Sequence, residues 1–363
     1  MSQTRRMLVL RAVVEDYIRQ QEPVGSSALA AKHNLGVSPA TIRNDMAALE
    51  EEGYLVQPHT SAGRIPTEKG YRYFVDSQAS LMPLTAEQRR SVTSFLSDSV
   101  SLQDTLQRAA RILATITGQF AVVSAPSLSR SLMRHVEILP VSTDSLLLVV
   151  ITETGRVVQR IVHAAHMPDL EQSQRISDEI NRECHMLTFR QCAARIRALP
   201  TNEDLHAPLR NAIAKAFTGL ENEERTNELF TSGASSLTHQ HIDAENLAPL
   251  FDALEEQVVL MRLMYDLTIH PDQGGVGVAI GSETHTPGLL HASVVSSGYG
   301  RSSTPHTDEE DANANSDEEQ MPIAVVGSIG PTHMNYAVTM AAVHAVARYL
   351  TEFLRHDHNG TQE

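Results

Sequence analysis

The sequence has no tryptophan, two cysteines and only 4% aromatic residues in a chain of 363. Cys184 and Cys192 are too few for a disulfide framework or a four-cysteine zinc site. No window approaches the ~18 uninterrupted apolar residues that a transmembrane helix requires. The first ten residues hold only a short apolar run interrupted by arginines, which is not typical of a secretory signal. These absences predict a cytoplasmic protein with two or three folded domains and no membrane partner.

An excess of basic residues is also missing. The chain has 29 Lys and Arg against 44 Asp and Glu, a net charge of −15, which normally argues against a nucleic-acid partner. The distribution along the chain changes that interpretation. Residues 1–80 carry nine basic and nine acidic side chains, so this segment is neutral. The whole deficit follows residue 80, and seven carboxylates lie within residues 308–319 alone.

The neutral N-terminal segment has the pattern of a winged helix-turn-helix. Apolar residues recur with helical spacing over 4–21, a short second helix fits 28–33, and Ser38-Pro39 is a strong start signal for a third helix. That helix is expected to end near Gly53. Two short extended pieces then surround a Gly/Ser turn, which indicates a hairpin, and Thr67 can cap a fourth helix.

The third helix is the candidate for reading DNA. A helical wheel places Ile42, Met46, Leu49 and Gly53 together toward the core, opposite a face of small residues with one amide and one guanidinium. Such a face suits the major groove, because alanine permits close approach, asparagine pairs with adenine and arginine pairs with guanine. The alternative is an ordinary surface helix, since residues 50–52 are acidic. The candidate DNA-binding residues are Ser38, Ala40, Thr41, Arg43, Asn44 and Ala47 on the helix and His59, Ser61 and Arg64 on the wing.

The rest of the chain mixes strands and helices. One long helix is expected over 86–116, and further helical segments over 170–217, 248–264 and 334–354. Strand-like segments are 120–124, 133–140, 145–151, 157–163, 276–280, 290–297 and 323–326. Strands on both sides of a helical middle predict one α+β domain with an inserted helical element. The acidic stretch 301–320 is predicted to be a disordered, solvated loop.

The sequence does not contain a recognisable set of catalytic or metal-binding residues. The sequence shows no nucleophile elbow, no paired catalytic carboxylates and no cysteine–histidine arrangement with an orienting group. Its histidines do not form a cluster with carboxylates at metal-ligand spacing. We therefore expect no enzymatic step, no cofactor and no metal.

The N-terminal run carries a family resemblance. The segment from Ser38 to Thr67, with Pro23–Ser26 before it and Gly70–Asp76 after it, resembles the HrcA family of heat-inducible transcription repressors. The segment Gly330–Tyr336 is similar to a late motif of the same family. The resemblance therefore touches both ends of the chain, whereas residues of about 165–245 are compatible with it without being diagnostic.

The resemblance implies an α+β architecture in which a winged helix-turn-helix precedes a GAF-like domain, itself interrupted by an inserted, mainly helical dimerisation domain. The implied limits are 1–80 for the winged helix, 81–165 and 246–356 for the GAF-like domain, 166–245 for the insertion and 357–363 for a tail. It further implies a homodimer that represses chaperone operons by binding an inverted repeat in double-stranded DNA, with a GroEL-type chaperonin maintaining the active state. The alternative is a repressor whose GAF-like domain binds a small effector.

Overall fold

The computed structural model describes residues 2–59, 62–77, 85–97, 99, 101–128, 131–164, 168–202, 204–222, 228–239, 244–269, 275–300 and 322–356. The acidic stretch 301–320 and the tail 357–363 lie outside these residues. Within the part described, every helix is too short or too polar to span a bilayer.

The N-terminal segment contains four helices and a small hairpin. The elements are α1 (Ser2–Gln20), α2 (Ser26–Lys32), α3 (Pro39–Glu51), β1 (Leu55–Val56), β2 (Ile65–Pro66) and α4 (Glu68–Ser77). β1 and β2 pair antiparallel, Leu55 opposite Pro66. This order of elements is that of a winged helix-turn-helix and follows the sequence expectation, with α1 and α2 each beginning two residues earlier.

The remaining elements follow in chain order. They are α5 (Ala86–Ser97), α6 (Leu102–Thr117), β3 (Phe120–Ser124), β4 (Met133–Pro140), β5 (Ser145–Thr152), β6 (Val157–His163), α7 (Leu170–Cys184), α8 (Phe189–Ala198), α9 (Ala207–Asn222), β7 (Leu229–Ser232), α10 (Ala234–His239), α11 (Ala244–Glu255), α12 (Gln257–Ile269), β8 (Gly277–Ile280), β9 (Ala292–Tyr299), β10 (Ala324–Pro331) and α13 (Tyr336–His356). Two short 3-10 helices, 281–284 and 287–289, lie between β8 and β9.

The body of the protein is a five-stranded antiparallel sheet with helices on both faces. Its strand order is β7-β3-β10-β9-β8. Alternate residues of each strand point to opposite faces, so Val123 lies in the core with α6 and α13, whereas Val122 lies in the core with α11 and α12. Every residue of β10 is buried, which explains its run of small and apolar residues.

A second unit, called here the inserted unit, comprises β4–β6 and α7–α9. β4, β5 and β6 form a separate three-stranded antiparallel sheet. One face packs on the three helices, and β5 alternates accordingly: Leu146, Leu148 and Val150 are buried and the residues between them are half-buried. Its largest buried side chains include Phe189 and Phe217, whose ring centroids lie 6.0 Å apart.

The structure differs from the expected limits of the inserted domain at two places. The expected limit at residue 165 separates β6 from α7, yet both belong to the core of the inserted unit, which is therefore mixed α and β rather than mainly helical. Residues 229–232, expected inside the insertion, instead form β7, which pairs with β3 of the body. Strand periodicity reveals a buried face but not the neighbouring strand, so the sequence could not assign these strands to a sheet.

The expected helix 86–116 is also broken. Ser101 caps the start of α6, and its hydroxyl accepts a hydrogen bond from the backbone N–H of Asp104 at 3.2 Å. A capping serine satisfies a free N–H at a helix start, so this local signal outweighs the helical periodicity on either side.

Candidate nucleic-acid interface

The start of α3 is fixed by its capping residue. Ser38 has an extended backbone, and its Oγ accepts a hydrogen bond from the backbone N–H of Thr41 at 3.2 Å, with Pro39 at the first helical position. The hydroxyls of Ser38 and Thr41 lie 3.0 Å apart and hydrogen bond to each other. These two predicted contact residues thus have a structural task at the helix start, although Ser38 remains exposed.

The two faces of α3 divide as the helical wheel predicts. Ile42, Met46 and Leu49 are buried in the core of the winged helix. On the opposite side Ala40, Arg43 and Asn44 are exposed, and Thr41 and Ala47 are half-buried. Gly53 does not share the core position expected for it. It is exposed, with a φ of +78°, and follows the helix end as a left-handed terminating residue.

A buried carboxylate ties α3 to α1. The side chain of Asp45 is 8% exposed and accepts two hydrogen bonds from the Arg5 guanidinium, 2.8 Å from Nε and 3.0 Å from Nη2. The hydrogen bond and the charge of Asp45 raise the pKa of Arg5. Two parallel bonds restrict rotation as well as separation, so α1 sets the direction of α3. Sequence reasoning missed Arg5, since no local pattern indicates a pairing across 40 residues.

The acidic residues at the end of α3 are largely neutralised. Glu50 accepts a hydrogen bond from Arg64 Nε at 2.9 Å. Glu52 pairs with Arg6 of α1. Glu51 is exposed. The objection that residues 50–52 would repel a DNA backbone is therefore weakened, because two of the three charges have cationic partners within the domain.

The wing is anchored to the segment before α2. Backbone hydrogen bonds join Val24 and Arg64 in both directions, at 3.0 and 2.9 Å. A Cβ on Gly63 would lie 2.4 Å from the carbonyl oxygen of Val24, so only glycine fits this close approach. His59 is exposed at the tip of the hairpin, and Ser61 lies outside the described residues.

The predicted contact residues therefore separate into two groups. Ala40, Arg43 and Asn44 form one exposed surface, and His59 is exposed on the neighbouring wing. Arg64 does not extend outward as the wing hypothesis expects. Its side chain is 16% exposed and bonds to Glu50, so in this structure it connects the wing to α3.

Comparisons with known proteins identify the family. A family model described as "HrcA protein C terminal domain" matches residues 103–340, and one described as "DeoR-like helix-turn-helix domain" matches residues 12–68. The chain is 74% identical, over 100% of both chains, to the heat-inducible transcription repressor HrcA of Bifidobacterium animalis subsp. lactis. It is 60% identical, over 98% of both chains, to the corresponding repressor of Bifidobacterium adolescentis. The chain belongs to the HrcA family.

The match to HrcA proteins extends beyond close relatives. The repressor of Beutenbergia cavernae is 42% identical over 98% of this chain and 99% of its own. A solved structure described as that of a hypothetical protein shares 23% identity and a TM-score of 0.63, covering 97% of this chain and 98% of the other, which shows a common fold. HrcA proteins are transcription repressors, so the expectation of a regulator with a helix-turn-helix, rather than an enzyme, is confirmed.

Proposed function

We propose that this chain represses chaperone genes as a cytoplasmic homodimer that binds an inverted repeat in double-stranded DNA. The observation that carries the proposal is the exposed surface of Ala40, Arg43 and Asn44, opposite the buried stripe of α3. Arginine can bond bidentately to guanine, asparagine to adenine, and alanine can contact a thymine methyl group. The positive end of the helix dipole at the start of α3 favours a phosphate there, although Pro39 has no N–H and the N–H of Thr41 is bonded to Ser38.

Association into a dimer is supported by the outer face of the inserted sheet. Leu139, Leu147 and Ile161 lie directly opposite one another across β4, β5 and β6 on the face that α7–α9 leave uncovered. Ile161 is 65% exposed and Val157, on the same strand, is 54% exposed. An apolar sheet face of this kind favours burial against a second copy. The two-fold axis of such a dimer would match the symmetry of an inverted repeat.

Repression in this proposal is steric. A dimer that occupies two half-sites near a promoter excludes polymerase, and release follows when the folded repressor is depleted. The relatives are named heat-inducible repressors, and in this proposal a GroEL-type chaperonin is the partner that maintains the active state. Heat would then divert the chaperonin to unfolded proteins and relieve repression.

The test begins with selection of random-sequence duplexes by the wild-type protein, followed by footprinting upstream of chaperone genes with and without chaperonin. We expect an inverted repeat and stronger protection when chaperonin is present.

Arg43→Ala should weaken the free energy of operator binding by about 1–3 kcal/mol and relax specificity at one base pair in each half-site. Arg111→Ala is the matched control, because Arg111 is an exposed arginine on α6 of the body. If Arg43→Ala binds every operator variant as the wild type does, the assignment of this helix face is wrong.

A cavity in the body favours a second candidate function, a repressor that responds to a small anionic effector. The cavity measures about 550 Å³ and lies between α13 and the end of β9. His344, Arg348 and Arg355 line one wall together with Glu352, whose carboxylate pairs with Arg348 at 3.4 Å, and Gly298 and Gly300 lie on the other. Burial and the charge of Arg348 lower the pKa of His344. Thermal-shift measurements with phosphorylated and carboxylated metabolites, compared with titration by chaperonin, distinguish the two candidates.

A further inference from the structure

The winged helix is attached to the body through α4. Arg72 donates from Nε to Glu283 Oε1 at 2.9 Å and also bonds to Oε2 of the same carboxylate. One turn earlier, the Glu68 carboxylate accepts hydrogen bonds from the backbone N–H of Ser282 at 3.2 Å and from its hydroxyl at 2.5 Å. We call these four residues the α4 clamp. They join two charged side chains of the winged helix to one 3-10 helix of the body.

Both sides of the clamp are held in place. Glu283 Oε2 accepts a hydrogen bond from the backbone N–H of Ile280 at 2.9 Å, which fixes the carboxylate on the body. Arg72 also donates from Nη2 to the carbonyl oxygen of Val278 at 2.7 Å. A Cβ at Gly281 would lie 2.0 Å from Glu68 Oε1, so the 3-10 helix approaches α4 as closely as glycine permits. Arg72 is thus oriented by three acceptor contacts with the body, and within α4 it also pairs with Asp76 at 3.5 Å.

Aromatic contacts from the late family motif reinforce this attachment. Tyr336 and Tyr71 of α4 have ring centroids 5.9 Å apart, and His333 meets Tyr17 of α1 edge-on at 6.5 Å. The Tyr336 hydroxyl donates to the carbonyl oxygen of Thr332 at 2.6 Å. The segment 330–336, recognised from sequence without a role, therefore contributes two of its rings to the joint between the winged helix and the body.

The α4 clamp is connected to α3, the helix proposed to contact DNA bases, by short contacts. Lys69 of α4 donates to the carbonyl oxygen of Glu52, the residue that caps the end of α3, at 2.8 Å. The Thr67 hydroxyl donates to the carbonyl oxygen of Gly53 at 2.7 Å. A Cβ on Gly70 would lie 2.4 Å from the carbonyl oxygen of Tyr54. Because α4 contacts the end of α3 directly, fixing α4 on the body also fixes the direction of α3.

We propose that the α4 clamp is a positioning device that makes the protein sensitive to the spacing of its two half-sites. The inference rests on the proposed function, since it requires a dimer on an inverted repeat. Two binding modules held at a fixed separation engage matching half-sites together, and the second contact then forms at high effective concentration. Modules held loosely must be ordered on binding, which lowers affinity for the matched spacing. Glu283 and Arg72 are positioning residues in this scheme and do not contact DNA.

The test uses the full-length dimer and three duplexes. One is the inverted repeat selected in vitro by the wild type, one has two base pairs inserted between the half-sites, and one carries a single half-site. Glu283→Gln should lose about tenfold in affinity for the matched duplex while binding the half-site within about twofold of wild type. Its discrimination between the matched and the inserted duplex should shrink by a similar factor. Arg72→Met, which removes the other partner, should reproduce this pattern.

Glu183→Gln is the matched control. Glu183 also pairs with an arginine through two nitrogens, Arg195 Nε at 3.2 Å and Nη2 at 2.9 Å, but on the inserted unit away from α4. It should behave as wild type on all three duplexes.

Three results would overturn the inference. Equal losses on the half-site and the matched duplex would show that the clamp supports folding of the winged helix rather than its direction. Tighter binding of Glu283→Gln would show that the clamp restrains an inactive orientation. Unchanged binding on every duplex would show that the joint does not set spacing. If the wild type selects no inverted repeat, the proposed function itself fails, and that result is visible before any variant is compared.

Discussion

The winged helix and the inserted unit are attached to the same body in opposite ways. The apolar core of the winged helix is continuous with that of α6 and α13, so Leu10 and Val346 belong to one cluster. The inserted unit has a core of its own, and its side chains cluster separately from the body. A shared core transmits orientation directly, whereas the inserted unit is joined to the body by polar contacts, in which Arg156 Nη1 donates to the carbonyl oxygen of Pro126 at 2.9 Å and Arg156 pairs with Glu228 at 3.8 Å. The two attachments therefore differ in kind: the winged helix shares an apolar core with the body, and the inserted unit is held by hydrogen bonds and an ion pair.

The two regions also differ in what they leave exposed. Around α3, charged side chains are paired between different elements, as Arg5 with Asp45 and Arg64 with Glu50. The exposed face of α3 carries small and polar side chains. The inserted unit instead exposes an apolar row through Leu139 and Ile161. Polar, oriented groups suit base recognition and an apolar face suits burial against protein.

The largest effect is expected from a charge on the apolar face of the inserted unit. Ile161→Glu should convert the proposed dimer to monomers, because the two copies lose two apolar side chains worth about 1.5–3 kcal/mol each on burial and would bury two unpaired carboxylates. Ile161 is 65% exposed in the single chain, so its fold should persist. Sedimentation velocity measures the change, and circular dichroism checks the fold.

Val258→Glu provides the comparison for this variant. Val258 lies on α12 of the body and is 73% exposed, so the chemical change is similar at a site outside the inserted sheet. It should leave the dimer intact. A dimeric Ile161→Glu protein, or a monomeric Val258→Glu protein, would move the interface away from the inserted sheet.

An intermediate effect is expected where the wing meets the segment before α2. Gly63→Ala should destabilise the winged helix by about 1–3 kcal/mol, since the new Cβ would overlap the carbonyl of Val24 and the backbone pair must open. Gly25→Ala is the control, because a Cβ there has no atom within 4 Å. Gly63→Ala, but not Gly25→Ala, should lower the temperature of thermal unfolding and weaken binding to a single half-site. Equal stability of the two variants would contradict the close packing of the wing.

Local signals in the sequence predicted the winged helix well. A capping serine, a proline at the first helical position and a helical stripe are properties of neighbouring residues, and all three recur in the structure, except that Gly53, expected on the stripe after Leu49, is exposed. The exposed Ala40, Arg43 and Asn44 follow from the same periodicity. A helix with a buried stripe defines its opposite face without further information.

Features that depend on distant partners could not be predicted in this way. The guanidinium of Arg64 could equally extend into solvent or turn to Glu50, and only the folded chain decides. Strands β4–β6 were placed correctly as strands but not in their sheet, because periodicity carries no pairing information. The Arg72–Glu283 contact joins residues 211 positions apart and has no local signature.

The smallest effect concerns the end of the inserted sheet where β4 begins. Glu153, in the turn after β5, accepts a hydrogen bond from the backbone N–H of Leu132 at 2.5 Å, and burial raises its pKa to about 7. Since this folded-state pKa lies above the ordinary carboxyl value, Glu153 stabilises the fold at low pH. That contribution disappears as pH rises through about 7.

Glu153→Gln keeps an acceptor oxygen for Leu132 and cannot ionise. It should therefore match the wild type near pH 5 and exceed it by about 1–2 kcal/mol near pH 8. Chemical denaturation at both pH values measures this difference, and an equal offset at both would mean that Glu153 is ionised throughout.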